Sequence, residues 1–296
     1  MKTSNILSIA LAAARVRGHG GIYNYTIDGI DYPGHYPWLP EDGQESIQRR
    51  WWPDPIFTMQ HPNLACNRGN PAVKKLPKFH APVRAGANIT AWYMPPPCPV
   101  NPPVPFPTAW PNPSYGDSGQ PMVCAGPEYP WPHGQGPILV YMANCEGPCD
   151  EWDGSGKRWF KIWETGYSQT SWPEWQPLPF TGDTPISAWY AWQAGFIIQR
   201  GVNMTIPTAL KPGNYLIRHE VINLEANLQI YPECAQLNIT GEGDAVPSPE
   251  YLVEFPGAYR DDQEGLDVAG NLYGYMGHHT FNFTMPGPKV WVPGAR

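Results

Sequence analysis

The sequence has few charged residues, no excess of positive charge and no long apolar run. Charged residues make up 15% of its 296 positions, and the formal net charge is −7. An acidic chain with few cations is a poor candidate for binding nucleic acid or anionic membranes. Its first apolar run, Ile6–Ala14, is well short of the about 20 residues needed to cross a bilayer, and no later stretch is long enough. We therefore expect neither nucleic acid nor a membrane as a partner.

Residues 1–18 have the three parts of a secretory signal peptide, which is removed from the mature protein. A lysine near the start precedes the apolar run, and small residues precede a cut between Gly18 and His19. The mature chain would then begin with histidine. Cleavage after Ala14 and a buried N-terminal helix are the alternatives. The signal carries three cations and no acid, so its loss changes the net charge to −10. We expect a secreted, extracellular protein.

Short β-like segments separated by proline and glycine make up the rest of the chain. The segments are rich in Val, Ile, Thr and aromatic residues and often alternate, which is typical of strands. Helical periodicity is scarce, and a turn of helix is expected only at Pro185–Gln193 or Val202–Leu210. This pattern predicts an all-β domain, a sandwich or barrel of antiparallel strands. The predicted strands are Ile22–Asp28, Ala87–Tyr93, Pro137–Ala143, Trp159–Trp163, Asn214–Ile222 and Gln229–Thr240.

Six cysteines in a secreted chain indicate three disulfide bridges rather than free thiols. Cys98 and Cys124 lie in a proline-rich segment at about 94–132, which they could close as a disulfide-tied loop. A disordered linker is the alternative. Strand patterns on both sides favour an ordered insertion within a single domain, residues 19–296. Sequons that permit N-glycosylation occur at Asn24, Asn88, Asn203, Asn238 and Asn282.

Two histidines are candidates for binding a metal. At the start of a mature chain, His19 would offer an α-amino group and an imidazole, nitrogen donors that suit Cu(II) better than Mg or Ca. His133 stands just before an apolar strand and could present its ring at the rim of a sandwich; a solvated loop histidine is equally plausible. Gln229 and Tyr231 share one face of their strand by alternation. Such a pair is most often core filler.

The other histidines are weaker candidates. His35, His61 and His80 lie in polar, proline-flanked surroundings and are interpreted as ordinary loop residues. His219 alternates with apolar residues in its strand, which predicts a core histidine rather than a ligand. The adjacent pair His278 and His279 would face opposite sides of a strand and make a poor chelate.

Several short motifs are specific when their order and spacing are taken together. They include His19-Gly20-Gly21, Asn63-Leu64-Ala65-Cys66-Asn67, Asn144-Cys145-Glu146-Gly147-Pro148-Cys149, Trp159-Phe160-Lys161-Ile162, Tyr231-Pro232-Glu233-Cys234 and Pro286-Gly287-Pro288. Along nearly the whole mature chain the sequence resembles the fungal lytic polysaccharide monooxygenases of auxiliary activity family nine, formerly glycoside hydrolase family sixty-one. The resemblance implies an immunoglobulin- or fibronectin-like antiparallel β-sandwich with long loops and little helix.

The resemblance also implies one copper ion per chain, held in a histidine brace. The amine and ring of His19 and the ring of His133 match the ligands, Tyr231 the axial position, and Gln229 the residue that orients oxygen species. Two residues separate His133 from the following Gly-Pro, where many family members have one. Glu225 stands where the family commonly has a histidine that donates protons. A carboxylate could relay protons there if burial raised its pKa, or, ionised, stabilise the metal's charge.

Further pairings and contacts follow from the same resemblance. It assigns disulfides Cys66–Cys234 and Cys145–Cys149, and leaves Cys98–Cys124 particular to the insertion before His133. Aromatic residues that could stack on sugar rings are Tyr36, Trp38, Tyr273 and Tyr275.

The implied activity is oxidative cleavage of cellulose or a related β-glucan by hydroxylation at C1 or C4. An external electron donor and O2 or H2O2 are needed, and the enzyme is expected to be a monomer. The first rival is a secreted copper-binding or cell-wall-associated protein that keeps the brace but lacks turnover. The second is a hydrolytic glycosidase with paired carboxylates, although no acid pair stands out in the sequence.

Overall fold

A computed structural model describes residues 20–37, 41–67, 75–94, 133, 136–166, 197, 201–224, 227–267 and 283–294. Within these ranges the chain forms nine strands and two one-turn 3-10 helices, Cys149–Glu151 and Pro249–Tyr251. No helix there has the length and apolar character of a membrane span. The strands are β1 (Gly21–Ile27), β2 (Ile30–Pro33), β3 (Ala81–Arg84), β4 (Asn88–Met94), β5 (Ile138–Asn144), β6 (Trp159–Thr165), β7 (Val202–Thr205), β8 (Gly213–Asn223) and β9 (Gln229–Thr240).

The strands form two sheets that pack as a sandwich. The four-stranded sheet has the order β2-β1-β4-β7 and is antiparallel throughout. The five-stranded sheet has the order β3-β9-β8-β5-β6. Its β3–β9 pair is parallel, so the expectation of purely antiparallel strands is corrected at this edge. The long chain between β3 and β9 allows this, because a parallel pair needs a crossover and cannot be closed by a hairpin. The predicted β-sandwich is confirmed.

The five-stranded sheet is buried on both faces. Along β8 one set of side chains, including Tyr215, Ile217 and Val221, packs between the sheets. The alternate set, including Leu216 and Ile222, packs under loop segments that carry Leu64 and Tyr259 among others. Because both faces are covered, every residue of β8 from Tyr215 to Asn223 is buried, polar residues included.

The second face of β8 carries a buried ion pair. Arg218 and Glu220 are both fully buried and hydrogen-bond each other. The guanidinium also donates to the carbonyl oxygens of Leu64 and Ala65 at 2.9 and 2.8 Å, while Tyr259 Oη donates to Glu220 at 2.7 Å. These bonds compensate for the loss of hydration that an isolated buried charge would suffer. The pair ties the covering loops to the sheet.

His219 is a core histidine, as predicted. It is fully buried between the sheets, with its ring centroid 5.6 Å from that of Tyr25. Burial lowers its pKa to about 3, so it stays neutral at physiological pH.

Three predicted loop histidines do lie in loops, and one predicted helical turn is corrected. His35 and His61 lie in loops but are buried, because segment 41–67 folds over the sandwich rather than into solvent. His80 is half-buried, and its Nε2 accepts a hydrogen bond from the Cys149 backbone at 3.1 Å. The helical turn expected over Val202–Leu210 is instead strand β7 followed by a turn, because β7 finds a partner in β4. The other segment expected to hold a helical turn, Pro185–Gln193, lies outside the described residues, as do His278 and His279.

Candidate copper site

The first residues of β9 place a polar cluster at the rim of the sandwich. Gln229 and Tyr231 lie on one face of β9, as alternation predicts, and Tyr231 Oη donates to Gln229 Oε1 at 2.7 Å. The half-buried His133 has its Nε2 3.0 Å from the same Oη, with the ring centroids 5.7 Å apart. An imidazole, a phenol and an amide thus meet at one point, although His133 precedes the start of β9 by 96 residues. The structure brings together three of the predicted site residues.

The chain enters the sandwich beside this cluster. The backbone N–H of Ile22, in β1, donates to Glu233 Oε2 at 2.9 Å. Gln48 Nε2 donates to the same oxygen at 2.5 Å, and Gln48 Oε1 accepts from the backbone of His35 at 2.6 Å. Glu233 is fully buried, and burial raises the pKa of its carboxyl group well above its ordinary value, against the opposing effect of these two donors. Glu233 therefore fixes the start of β1 two residues along β9 from Tyr231.

Glu233 and Gln48 were not predicted as site residues. Alternation gives a signal for Glu233, because it follows Gln229 and Tyr231 on the inward face of β9 and a buried carboxylate requires donors. Gln48 carries no such signal. It reaches Glu233 only because segment 41–67 crosses the five-stranded sheet, with a bridge from Gln48 to Ala235.

Gly21 is required by close packing. A Cβ at this position would collide with Glu233 Oε1 and with the ring of Trp51. Both neighbours are buried, so neither can move aside into solvent. The second glycine of the His-Gly-Gly motif thus lets the backbone approach the anchoring carboxyl group.

Replacing Gly21 by alanine should therefore loosen the anchored N-terminus. We expect Gly21→Ala to lower the free energy of unfolding by about 1–3 kcal/mol through overpacking. Gly147→Ala is the matched control, because a Cβ there meets nothing within 4 Å and its φ is not positive. Its effect should stay within about 0.5 kcal/mol. Chemical denaturation measures both, and equal losses for the two variants would contradict the packing role of Gly21.

Two of the predicted disulfides are present. Cys66–Cys234 joins segment 41–67 to β9, with Cα atoms 5.2 Å apart, and Cys145–Cys149 closes a short turn after β5. Tyr36, predicted as a substrate contact, is half-buried, and burial raises its pKa. Of the insertion predicted at about 94–132, residue 94 ends β4 and the rest lies outside the described residues. The other predicted positions outside the described residues are the signal 1–18, His19, Trp38, Cys98, Cys124, Glu225, Tyr273, Tyr275 and Asn282.

Comparison with known proteins identifies the family. The model of Auxiliary Activity family 9 (formerly GH61) matches residues 19–279. Lytic polysaccharide monooxygenase B of Heterobasidion irregulare is 31% identical over 292 residues, which cover 97% of each chain. Lytic polysaccharide monooxygenase D of Thermothelomyces thermophilus is 32% identical over 290 residues, covering 96% of this chain and 92% of that one.

Solved structures agree with the sequence relatives. The crystal structure of HiLPMO9B superposes with a TM-score of 0.65 at 30% identity, covering 92% of this chain and 99% of that one. A cellulose-active polysaccharide monooxygenase from M. thermophila gives 0.64 at 30% identity, covering 93% and 100%. The resemblance inferred from the motifs is confirmed. The chain belongs to Auxiliary Activity family 9, the copper-dependent lytic polysaccharide monooxygenases.

Proposed function

We propose that this chain is a secreted monooxygenase that cleaves cellulose or a related β-glucan at C1 or C4, with one copper ion per mature chain. The observation that carries the proposal is the convergence of His133, Tyr231 and Gln229 beside the anchored start of β1. The mature enzyme would be a monomeric single domain, residues 19–296, with the proline-rich insertion bordering the copper. An external electron donor and O2 or H2O2 would be its co-substrates.

The donor atoms fit one copper ion. His133 Nε2 and Tyr231 Oη lie 3.0 Å apart, close enough for both to face one bound ion. Imidazole nitrogen together with an oxygen donor is also a set typical of Cu(II). These donors support His133 as a ligand and Tyr231 as the oxygen group beside the metal.

Chain length supports His19 as the remaining ligand. Ile22 is bonded to Glu233, and Glu233 lies two residues from Tyr231, about 7 Å along the strand. Three residues of chain span at most about 10–11 Å. A mature terminus at His19 is therefore within reach of the cluster. The family match also begins at residue 19, directly after the predicted signal.

Each side chain would then have a defined task. Copper, when bound, supplies the one-electron chemistry that activates oxygen or peroxide. His19 and His133 would hold the metal, and the Tyr231 hydroxyl, beside His133, would limit access to it. Gln229, whose amide oxygen already accepts from the Tyr231 hydroxyl, would fix that phenol and orient the oxygen co-substrate. Glu225 would supply a proton, and aromatic residues including the half-buried Tyr36 would stack on the sugar chain.

Turnover is the decisive test. Copper-loaded protein, swollen cellulose and ascorbate should yield oxidised oligosaccharides, detected by mass spectrometry, and copper chelation should abolish them. Copper binding without oxidised products would instead favour the rival, a secreted copper-binding protein. That rival is supported by Glu225 and by the two-residue spacing after His133. Unoxidised products that survive chelation would indicate a glycosidase.

Glu225→His tests the proton relay directly. A donor must be protonated, and the ordinary pKa is about 4.3 for Glu and about 6.5 for His. Turnover of the natural chain should therefore fall at a lower pH than turnover of Glu225→His, by up to about two pH units. Copper affinity, measured in parallel, should differ little. Superimposable pH profiles would show that residue 225 does not deliver the proton.

A further inference from the structure

Three sequons lie on one face of the four-stranded sheet. They are Asn24-Tyr25-Thr26 in β1, Asn88-Ile89-Thr90 in β4 and Asn203-Met204-Thr205 in β7. The middle residue of each is buried in the core between the sheets. Because neighbouring strand residues face opposite sides, each Asn and its Thr point away from the core.

The register of β4 and β7 places two of these sequons opposite each other. Asn88 stands opposite Thr205, and Thr90 stands opposite Asn203. Thr205 Oγ1 donates to Asn88 Oδ1 at 2.8 Å, and Asn203 Nδ2 donates to Thr90 Oγ1 at 2.6 Å. Both asparagines are nevertheless exposed. The hydrogen bonds hold their amides at the surface in defined orientations.

The side-chain amide nitrogens of these three asparagines differ in how many hydrogen bonds they already make. N-glycosylation replaces one of the two hydrogens on Nδ2, so a nitrogen with a spare hydrogen carries a sugar at least cost. Asn88 Nδ2 makes no hydrogen bond to any other described residue, and Asn203 Nδ2 makes one. Asn24 Nδ2 makes two, to Asp31 at 3.1 Å and to Thr26 at 3.4 Å, and is half-buried.

The fourth described sequon lies in a different environment. Asn238 is half-buried in β9, between β3 and β8 in the other sheet. Its Nδ2 donates to Asn214 Oδ1 at 2.7 Å, a cross-strand bond that joins β9 to β8. Because the Asn238 side chain is half-buried and its Nδ2 is held in this bond, the folded sheet disfavours a glycan there.

We propose that Asn88 and Asn203 carry N-linked glycans, with Asn24 modified less and Asn238 not at all. A bond forms between Nδ2 and the anomeric carbon of the first N-acetylglucosamine of a lipid-linked oligosaccharide diphosphate. The bond from that carbon to the diphosphate breaks, the lipid diphosphate leaves, and the amide nitrogen loses one proton. The inference depends on the secretory route in the proposed function, since this transfer takes place there.

The position of these glycans separates them from the copper chemistry. Asn88 begins β4, whose last residue Met94 pairs with Gly21 at the anchored N-terminus. Six residues of strand place Asn88 about 20 Å from that end of the sheet. Asn203 lies on β7, which is an edge strand among the described strands. Glycans here would shield a sheet edge from pairing with another chain while leaving the copper rim open.

Site mapping on the full secreted chain tests the proposal. The protein is produced in a secreting yeast or filamentous fungus and treated with an amidase that releases N-glycans in heavy-oxygen water. Peptide mass spectrometry then shows which asparagines became labelled aspartates. We expect label at Asn88 and Asn203 in most molecules, less at Asn24 and none at Asn238. Label at Asn238 with none at Asn88, or none at any of the four, would overturn the proposal.

Two variants of Thr90 distinguish loss of the sequon from damage to the fold. Thr90→Ala should remove the Asn88 glycan and its mass, whereas Thr90→Ser keeps both the sequon and an acceptor for Asn203, and should keep the glycan. Copper binding and release of oxidised products should be unchanged in both. A secreted, copper-active protein that lacks both glycans would refute the glycan proposal alone. A glycosylated protein without turnover would refute the proposed function alone, and retention of the chain in the cytosol would refute both.

Discussion

A mature chain that retains one extra glycine ahead of His19 is expected to lose its copper. The added peptide bond converts the α-amino group into an amide, which would remove one nitrogen donor of the proposed brace and leave the imidazole behind. Loss of residues that only support metal ligands already costs about 10–100-fold in affinity. Removal of a ligand itself should therefore weaken copper binding by more than about 100-fold.

Isothermal titration and electron paramagnetic resonance of Cu(II) measure this loss independently of turnover. His133→Ala should weaken binding similarly. His80→Ala serves as a histidine control, because His80 is half-buried and bonded to the Cys149 backbone rather than to Tyr231. Copper bound with equal affinity by the extended and the authentic chains would refute the brace. Loss of affinity in His80→Ala alone would point to a different site.

The Cys66–Cys234 bridge is expected to contribute far more to stability than Cys145–Cys149. The first closes a loop of 168 residues and the second a loop of 4. The loop-closure relation gives losses of about 5 and about 2 kcal/mol on removal of the two bridges. The larger value is comparable to the whole stability of many domains. We therefore expect Cys66→Ala/Cys234→Ala to be only marginally folded at 37 °C.

Denaturant titrations of the two double-alanine variants check this order. Alanine is the appropriate replacement, because all four cysteines are buried and serine would add an unsatisfied hydroxyl. Cys145→Ala/Cys149→Ala is the internal control, since it removes the same number of sulfur atoms from a short loop. Equal destabilisation by the two pairs would mean that local packing, rather than loop closure, sets the contribution of each bridge.

The strands that could be predicted are those whose own residues favour strand structure. β9 begins at Gln229 and ends at Thr240, as predicted, and β8 and β1 match within a residue at each end. Their Val, Ile and aromatic residues signal strand wherever they are placed. β2, β3 and β7 are four residues long and were not predicted. So short a segment is a strand only because a neighbour offers it hydrogen bonds.

The candidate site shows the same division. Alternation correctly predicted that Gln229 and Tyr231 share a face and that His219 lies in the core. It could not predict that His133 meets Tyr231, because their contact crosses 98 positions of sequence. The family resemblance supplied that pairing, and the structure places the two atoms together. Glu233 as the anchor of β1 was missed, since its partners, Ile22 and Gln48, are 211 and 185 residues away.

By itself, the sequence determined the class of the fold, the disulfide pairs Cys66–Cys234 and Cys145–Cys149 through its family motifs, and the membership of that family. These depend on residue type, on the spacing of apolar residues and on the order of motifs. All three can be recognised without knowing which segments contact each other. Only the tertiary structure decided that Gly21 must lack a side chain, that Glu233 holds the entry of β1, and that three sequons share one face. Each depends on which strands pair and in what register, and register is set by packing between segments far apart in the chain.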